Sequence, residues 1–200
     1  MIREAYESAA KWFVNTVEQV GAPQWEQPGL GVWTVRDLVG HTSRALLTVE
    51  QYLAQPAAQR EVMRPADYFL RAQERLADPA SVAARGHEAG AALGPDPITA
   101  VRTIAARVLA QVQTAADEVL VSTPVGGMRL IDYLPSRIFE LAVHTLDIAA
   151  ALPVTVTLPE SVAAVALHLV ADMALQPEKA AALLLAVTGR RALPAGFWAL

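Results

Sequence analysis

The stretch LIDYLPSRIFELAVHTLDIAAAL, residues 130–152, decides how this chain folds. It reads as one long helix, with Pro135 tolerated in its first turn or two, where backbone N–H groups lack an intrahelical partner anyway. Glu140 and His144 stand four apart within it, so they lie one above the other on one face, about 6 Å along the axis. Asp147 continues the same stripe. The spacing suits two ligands on one metal ion, and it equally suits an ordinary solvated Glu–His helix pair. Spacing alone leaves both readings open.

Reading outward toward the N-terminus, Ser122 to Arg129, with Pro124 and paired Gly126 and Gly127, is a turn. Before it, Pro97 opens a long helix to about Leu120, with Val101, Ile104, Val108, Val112 and Ala115 on its buried face. Between Ala77 and Pro97 no period holds, and the expectation is a short helix near Ser81 to Arg85 within a loop. A helix is expected over Pro65 to Leu76. Another should run from Val35 to Leu53, with Thr34 as its N-cap and Asp37 near the N3 position. Gln24 to Val32 reads as a loop. Ile2 to Val20 carries Ala9, Phe13, Val17 and Val20 at helical spacing.

Downstream of Leu152, Val154 to Leu158 alternates threonine with apolar residues and fits either an extended strand or a connector. Two further helices are expected, Pro159 to Leu175 and Glu178 to Thr188. Strand signals are too sparse for a sheet core. The expected fold is all-α, a helical bundle with long connections, in one domain with a core over 1–152 and a helical extension over 159–188.

Composition excludes several functions. The 200 residues are 54% apolar and 18% charged, enough for one domain with a real core and not a disordered chain. The longest nearly unbroken apolar stretch, Ala180 to Val187, is far short of the roughly 20 residues a membrane-spanning helix needs. Its apolar surface suggests burial against a second copy, a homodimer. Arg3, Glu4 and Glu7 at the start do not resemble a signal peptide, so a cytoplasmic location is expected. A net charge of −4 without a basic run argues against nucleic acid. Cysteine is absent, so any thiol chemistry must use a thiol brought from outside. No phosphate-binding glycine loop, serine nucleophile elbow or paired-histidine zincin motif occurs.

Four histidines can be weighed singly. His41, on the helix expected over 35–53, can meet Glu140 and His144 only by packing across a bundle. Together the three would make a His2Glu set, the open catalytic kind that leaves a position for water or substrate. His41 alone also reads as an ordinary interior or surface histidine. Asp147 could accept the second ring N–H of His144 and fix its orientation, or be a plain surface aspartate. His168 with Asp172 repeats the four-residue spacing beside a core face, and His87 reads as exposed in a loop. Trp12, Phe13, Trp25 and Trp33 suit core packing or loop anchoring. Arg36, Arg129 and Arg137 could line an anionic pocket, or lie at the surface.

Two segments, GLGVWTVRDLVGHT (Gly29 to Thr42) and RIFELAVHTLDIA (Arg137 to Ala149), together resemble the mycothiol-dependent maleylpyruvate isomerase N-terminal family, among the DinB-like metal-binding four-helix bundles. The all-α reading fits that family over nearly the whole chain. It implies metal ligation by the histidine of the first motif and the glutamate and last histidine of the second, here His41, Glu140 and His144. It also implies a divalent metal, zinc first with nickel admitted by the same donors, and a low-molecular-weight thiol, mycothiol or similar, as co-substrate. A free thiol near pKa 8.5 is only a few per cent thiolate at pH 7, and a dipositive metal deprotonates it. The implied activity is thiol transfer to, or isomerisation of, a small electrophile. The isomerase itself carries a further C-terminal domain, and GRRALPAGF (Gly189 to Phe197) reads as the end of a first domain. The alternative class is a non-catalytic helical module held together by its metal.

Overall fold

Helices form where the apolar stripe is continuous and the terminal N–H groups find acceptors. In a computed structural model describing residues 1–76 and 78–197, eight α-helices and one short hairpin result. In order they are α1 (Ile2–Val17), α2 (Val35–Leu53), α3 (Pro65–Leu76), α4 (Pro79–Ala92), α5 (Pro97–Thr114), β1 (Leu120–Thr123), β2 (Gly126–Arg129), α6 (Leu130–Ala151), α7 (Glu160–Met173) and α8 (Pro177–Val187). The all-α expectation holds. α2 and α3 have the expected bounds, and Thr34 caps α2 through a reciprocal capping box with Asp37.

Helices α1, α6, α2 and α5 close a ring, each packed against the next, and this is the four-helix bundle. Its interior is filled by buried Tyr6, Phe13, Leu38, Leu46, Val101, Val108, Ile138, Leu141 and Ile148. The long connection between α2 and α5 is not idle chain: α4 packs on α2, and α3 packs on α6 and α7. α7 lies against α6 and α1. No described helix is long and apolar enough to cross a membrane.

Four expectations need correction. α1 stops at Val17, short of Val20, although Val20 is still buried. α5 stops at Thr114, not Leu120, because the chain turns extended at Ala115, whose carbonyl accepts from the Arg3 guanidinium at 2.6 Å while Asp117 accepts from it at 2.7 Å. The expected turn over Ser122 to Arg129 is the antiparallel hairpin β1–β2, pairing Leu120 with Arg129 and Thr123 with Gly126. Its strand pattern is only four residues long, too short to register as alternation.

The fourth concerns Ser81 to Arg85, which is the middle of a 14-residue helix, α4. Gly86 and Gly90, read as loop formers, are there because α4 crosses α2 almost backbone on backbone. A Cβ on Gly90 would strike Asp37, one on Gly86 would strike the Trp33 indole, and one on the facing Gly40 would strike Ala89 and Gly90. Each helical glycine costs up to about 1 kcal/mol in propensity, which the close packing offsets. Asp78, at the N-cap, accepts from the Ser81 N–H. Ala77, the first residue of that aperiodic stretch, lies outside the described residues. Val154 to Leu158 forms no strand and is a connector.

Candidate metal centre

α2 and α6 are neighbours in the ring, and their facing sides bring His41, Glu140 and His144 together. One ligand atom from each lies within 4.8 Å of the others, and all three residues are half-buried. The two imidazoles meet edge to face with centroids 5.0 Å apart. His144 points Nε2 at Glu140, 3.3 Å away, and Nδ1 at Asp147, 3.0 Å away. Asp147 thus sits where a residue orienting His144 would sit. Behind His41, the Trp33 ring stacks at 4.5 Å, held by an indole N–H donated to the Ala83 carbonyl of α4.

Charges in the cluster are pushed apart. Burial drives His41 down to about 4, helped by neighbouring His144 and by Arg44 and Arg85. Burial opposes charge on His144 too, but its hydrogen bonds to Asp147 and Glu140 outweigh that and raise it to about 9. Burial likewise opposes ionisation of Glu140, yet His144 and Arg137 hold it down at about 2. At neutral pH the cluster therefore holds a neutral His41, an anionic Glu140 and a protonated His144.

This donor set fits a divalent cation. Nδ1 of His41 is buried without a hydrogen-bond partner among the described residues, which is costly for a polar atom unless something fills its lone pair. Ligand atoms about 2.1 Å from one ion are at most about 4.2 Å apart, so the cluster need contract only slightly. Two imidazoles and one carboxylate form the set that suits zinc and similar ions.

A cavity of about 330 Å³ opens beside the cluster and reaches His41 and Glu140. Its floor is α2 and α6, and its walls are Tyr68 and Phe69 of α3, Arg85 of α4 and Pro124 of the hairpin turn. Of the three arginines weighed from sequence, only Arg137 lines it. Arg36 instead pairs with Glu26 and donates to the Gly94 carbonyl, and Arg129 pairs with Asp132 and Glu118. Arg44 and Arg85 were missed. The signal for Arg44 was its three-residue spacing from His41, while Arg85 needed α4 to be recognised as a helix.

The remaining histidines lie elsewhere. His87 is on α4, not in a loop, and its Nδ1 is 2.9 Å from Asp37 of the α2 capping box. His168 is exposed on α7.

The mycothiol maleylpyruvate isomerase N-terminal domain matches residues 6–149, from α1 through nearly all of α6. The chain belongs to that family. The matched region of this maleylpyruvate isomerase N-terminal domain holds nearly all of the four-helix ring, the His41–Glu140–His144 cluster and the cavity. α7 and α8 lie beyond it. No curated protein and no solved structure matches the chain.

Proposed function

We propose that this protein is a metal-dependent enzyme that activates a low-molecular-weight thiol, mycothiol or one like it, for transfer to or isomerisation of a small electrophile. The observation that carries this reading is a cluster of two histidines and one glutamate beside a cavity, with no fourth histidine, aspartate or glutamate joining it among the described residues. His41, Glu140 and His144 would hold the ion, with zinc the first choice and nickel the alternative. When bound, the metal supplies a Lewis acid that keeps a thiol ionised at neutral pH.

The chain's own residues do the rest. Asp147 accepts the Nδ1 proton of His144, which leaves Nε2 as the donor facing Glu140 and His41. Trp33 fixes the His41 ring from behind, and the carbonyl of Ala83 fixes Trp33. Tyr68 and Phe69 screen one side of the cavity from water, which favours a nucleophilic sulfur over its hydrated form. The sulfur itself must arrive with a co-substrate, since the chain has no cysteine.

The test is metal content of protein purified without a histidine tag, for wild type, His41→Ala and His144→Ala, followed by thiol consumption assays against a panel of electrophiles with and without chelator. About one metal per chain in wild type, loss in both variants, and chelator-sensitive thiol consumption are expected. Metal equal and negligible in all three ends the reading. Metal that raises the melting temperature without any thiol adduct transfers the assignment to the non-catalytic, metal-stabilised module.

A further inference from the structure

α8 is a fully formed helix that the rest of the fold leaves uncovered. Its N-terminus is closed by the Ala180 N–H donating to the Gln176 carbonyl at 2.9 Å. Its C-terminus is closed at Gly189, φ +70°, after which the Arg190 N–H returns to the Leu185 carbonyl at 2.8 Å. Yet among the described residues α8 packs closely on no other element, and none of its described side chains is buried. A helix of 11 residues is marginal in water by itself, and one that is apolar on every side, as Ala180 to Val187 is, belongs against another surface. It is too short to span a membrane.

What α8 presents is arranged symmetrically. Its exposed apolar residues, Ala181, Leu184 and Val187, lie three apart on one broad stripe, with Leu184 64% and Val187 71% exposed. Leu184 is the midpoint. Three residues to either side stand Ala181 and Val187, six residues to either side Glu178 and Arg190, and nine residues to either side the exposed Leu175 and Leu193. Apolar residues thus answer apolar ones across the midpoint, and an acid answers a base. Neither Glu178 nor Arg190 forms an ion pair with a described residue.

We infer that α8 is the interface of a homodimer, in which the helices of two copies of this chain pair antiparallel about a twofold axis through Leu184. A surface that matches itself in this way suits an isologous contact, where residue i meets j and j meets i. About that axis Leu184 meets its own counterpart, and Ala181 meets Val187 of the second copy, the small alanine letting the backbones approach. Glu178, at the edge of the stripe, comes beside Arg190 of the second copy, twice per dimer. A parallel pair would set acid beside acid and base beside base, with the two helix dipoles aligned unfavourably. One helix per subunit is a small interface, so the association is weak, with a dissociation constant in roughly the micromolar range. The inference stands apart from the metal reading, because α8 packs closely on neither α2 nor α6 and lies beyond the matched family region.

The experiment is sedimentation velocity of the full chain over concentrations spanning that range, where the mass should climb from 21.4 kDa toward twice that value. Leu184→Glu, at a solvent-facing position and so tolerable to the fold, sets two like charges on the axis and should weaken dimerisation at least about tenfold, with helical circular dichroism unchanged. Glu178→Arg and Arg190→Glu should each weaken it by about threefold, as exposed ion pairs do, and the Glu178→Arg/Arg190→Glu double variant should restore it. Because the chain has no cysteine, Leu184→Cys carries a lone thiol that mild oxidation should cross-link to its counterpart. Ala181→Cys should stay free unless Val187→Cys is added, since its own counterpart lies too far away for a disulfide. A monomer at every concentration, a dimer indifferent to Leu184→Glu, a double variant no better than the single ones, or Ala181→Cys cross-linking as readily as Leu184→Cys each overturns the proposal. So does a monomer that cosediments with phosphatidylserine–phosphatidylcholine vesicles and loses that binding in Leu184→Glu, which assigns α8 to a lipid surface instead.

Discussion

At the scale of single residues, the cluster works through opposing shifts on two histidines of the same type. His41, pushed down to about 4 by burial, is ready to donate a lone pair at any ordinary pH. His144, raised to about 9 against its burial by Asp147 and Glu140, must surrender a proton before its Nε2 can ligate. Below about pH 9 a cation therefore competes with one proton, and apparent metal affinity should rise roughly tenfold per pH unit from pH 6 to near 9, then level off. Competition titration against a chromophoric chelator across that range checks it, and a flat profile would remove His144 from the ligand set. Asp147→Asn keeps an acceptor for the ring but loses the charge. It should weaken metal binding by roughly 10–100-fold and shift the rising part of the profile to lower pH, with the helical circular dichroism unchanged.

At the scale of elements, the α2–α4 crossing couples packing to the cavity. Gly40 and Gly90 face each other there, and Gly40 is the residue before His41. Gly40→Ala would improve local helix propensity in α2, but its Cβ meets α4 backbone, which cannot swing aside as a side chain can. The expected result is a destabilisation of about 1–3 kcal/mol, the usual range for overpacking. Thermal unfolding should show it as a drop of about 2–4 °C per kcal/mol for a chain of this size.

At the scale of the molecule, a metal held by His41 of α2 and by Glu140 and His144 of α6 would tie two neighbouring members of the four-helix ring. Binding to the folded state alone stabilises by about 2.7 kcal/mol when free metal is a hundredfold above its dissociation constant. Chelation should then lower the melting temperature by roughly 5–10 °C, reversibly, in wild type and not in His144→Ala. Differential scanning calorimetry with metal added back is the check. Much of this architecture was legible beforehand. The bounds of α2 and α3, the Thr34 cap and the all-helical class follow from local rules of spacing and capping, which act within a few residues of chain. The pairing of Glu140 with His144 was visible as helical spacing, and the family motifs joined His41 to it. What local rules could not reach was α4, where Gly86 and Gly90 look like breakers until α2 lies against them, and the hairpin, whose strands are four residues each. Nor could they distinguish Arg137, buried and in no ion pair with a described residue, from Arg36 and Arg129, paired near the surface, because a residue's partner is chosen by elements distant in sequence. The sequence by itself determined the helices and the chemical types on their faces; only the tertiary packing decided which charges were left without a partner, since burial and ion pairing exist only once those faces meet.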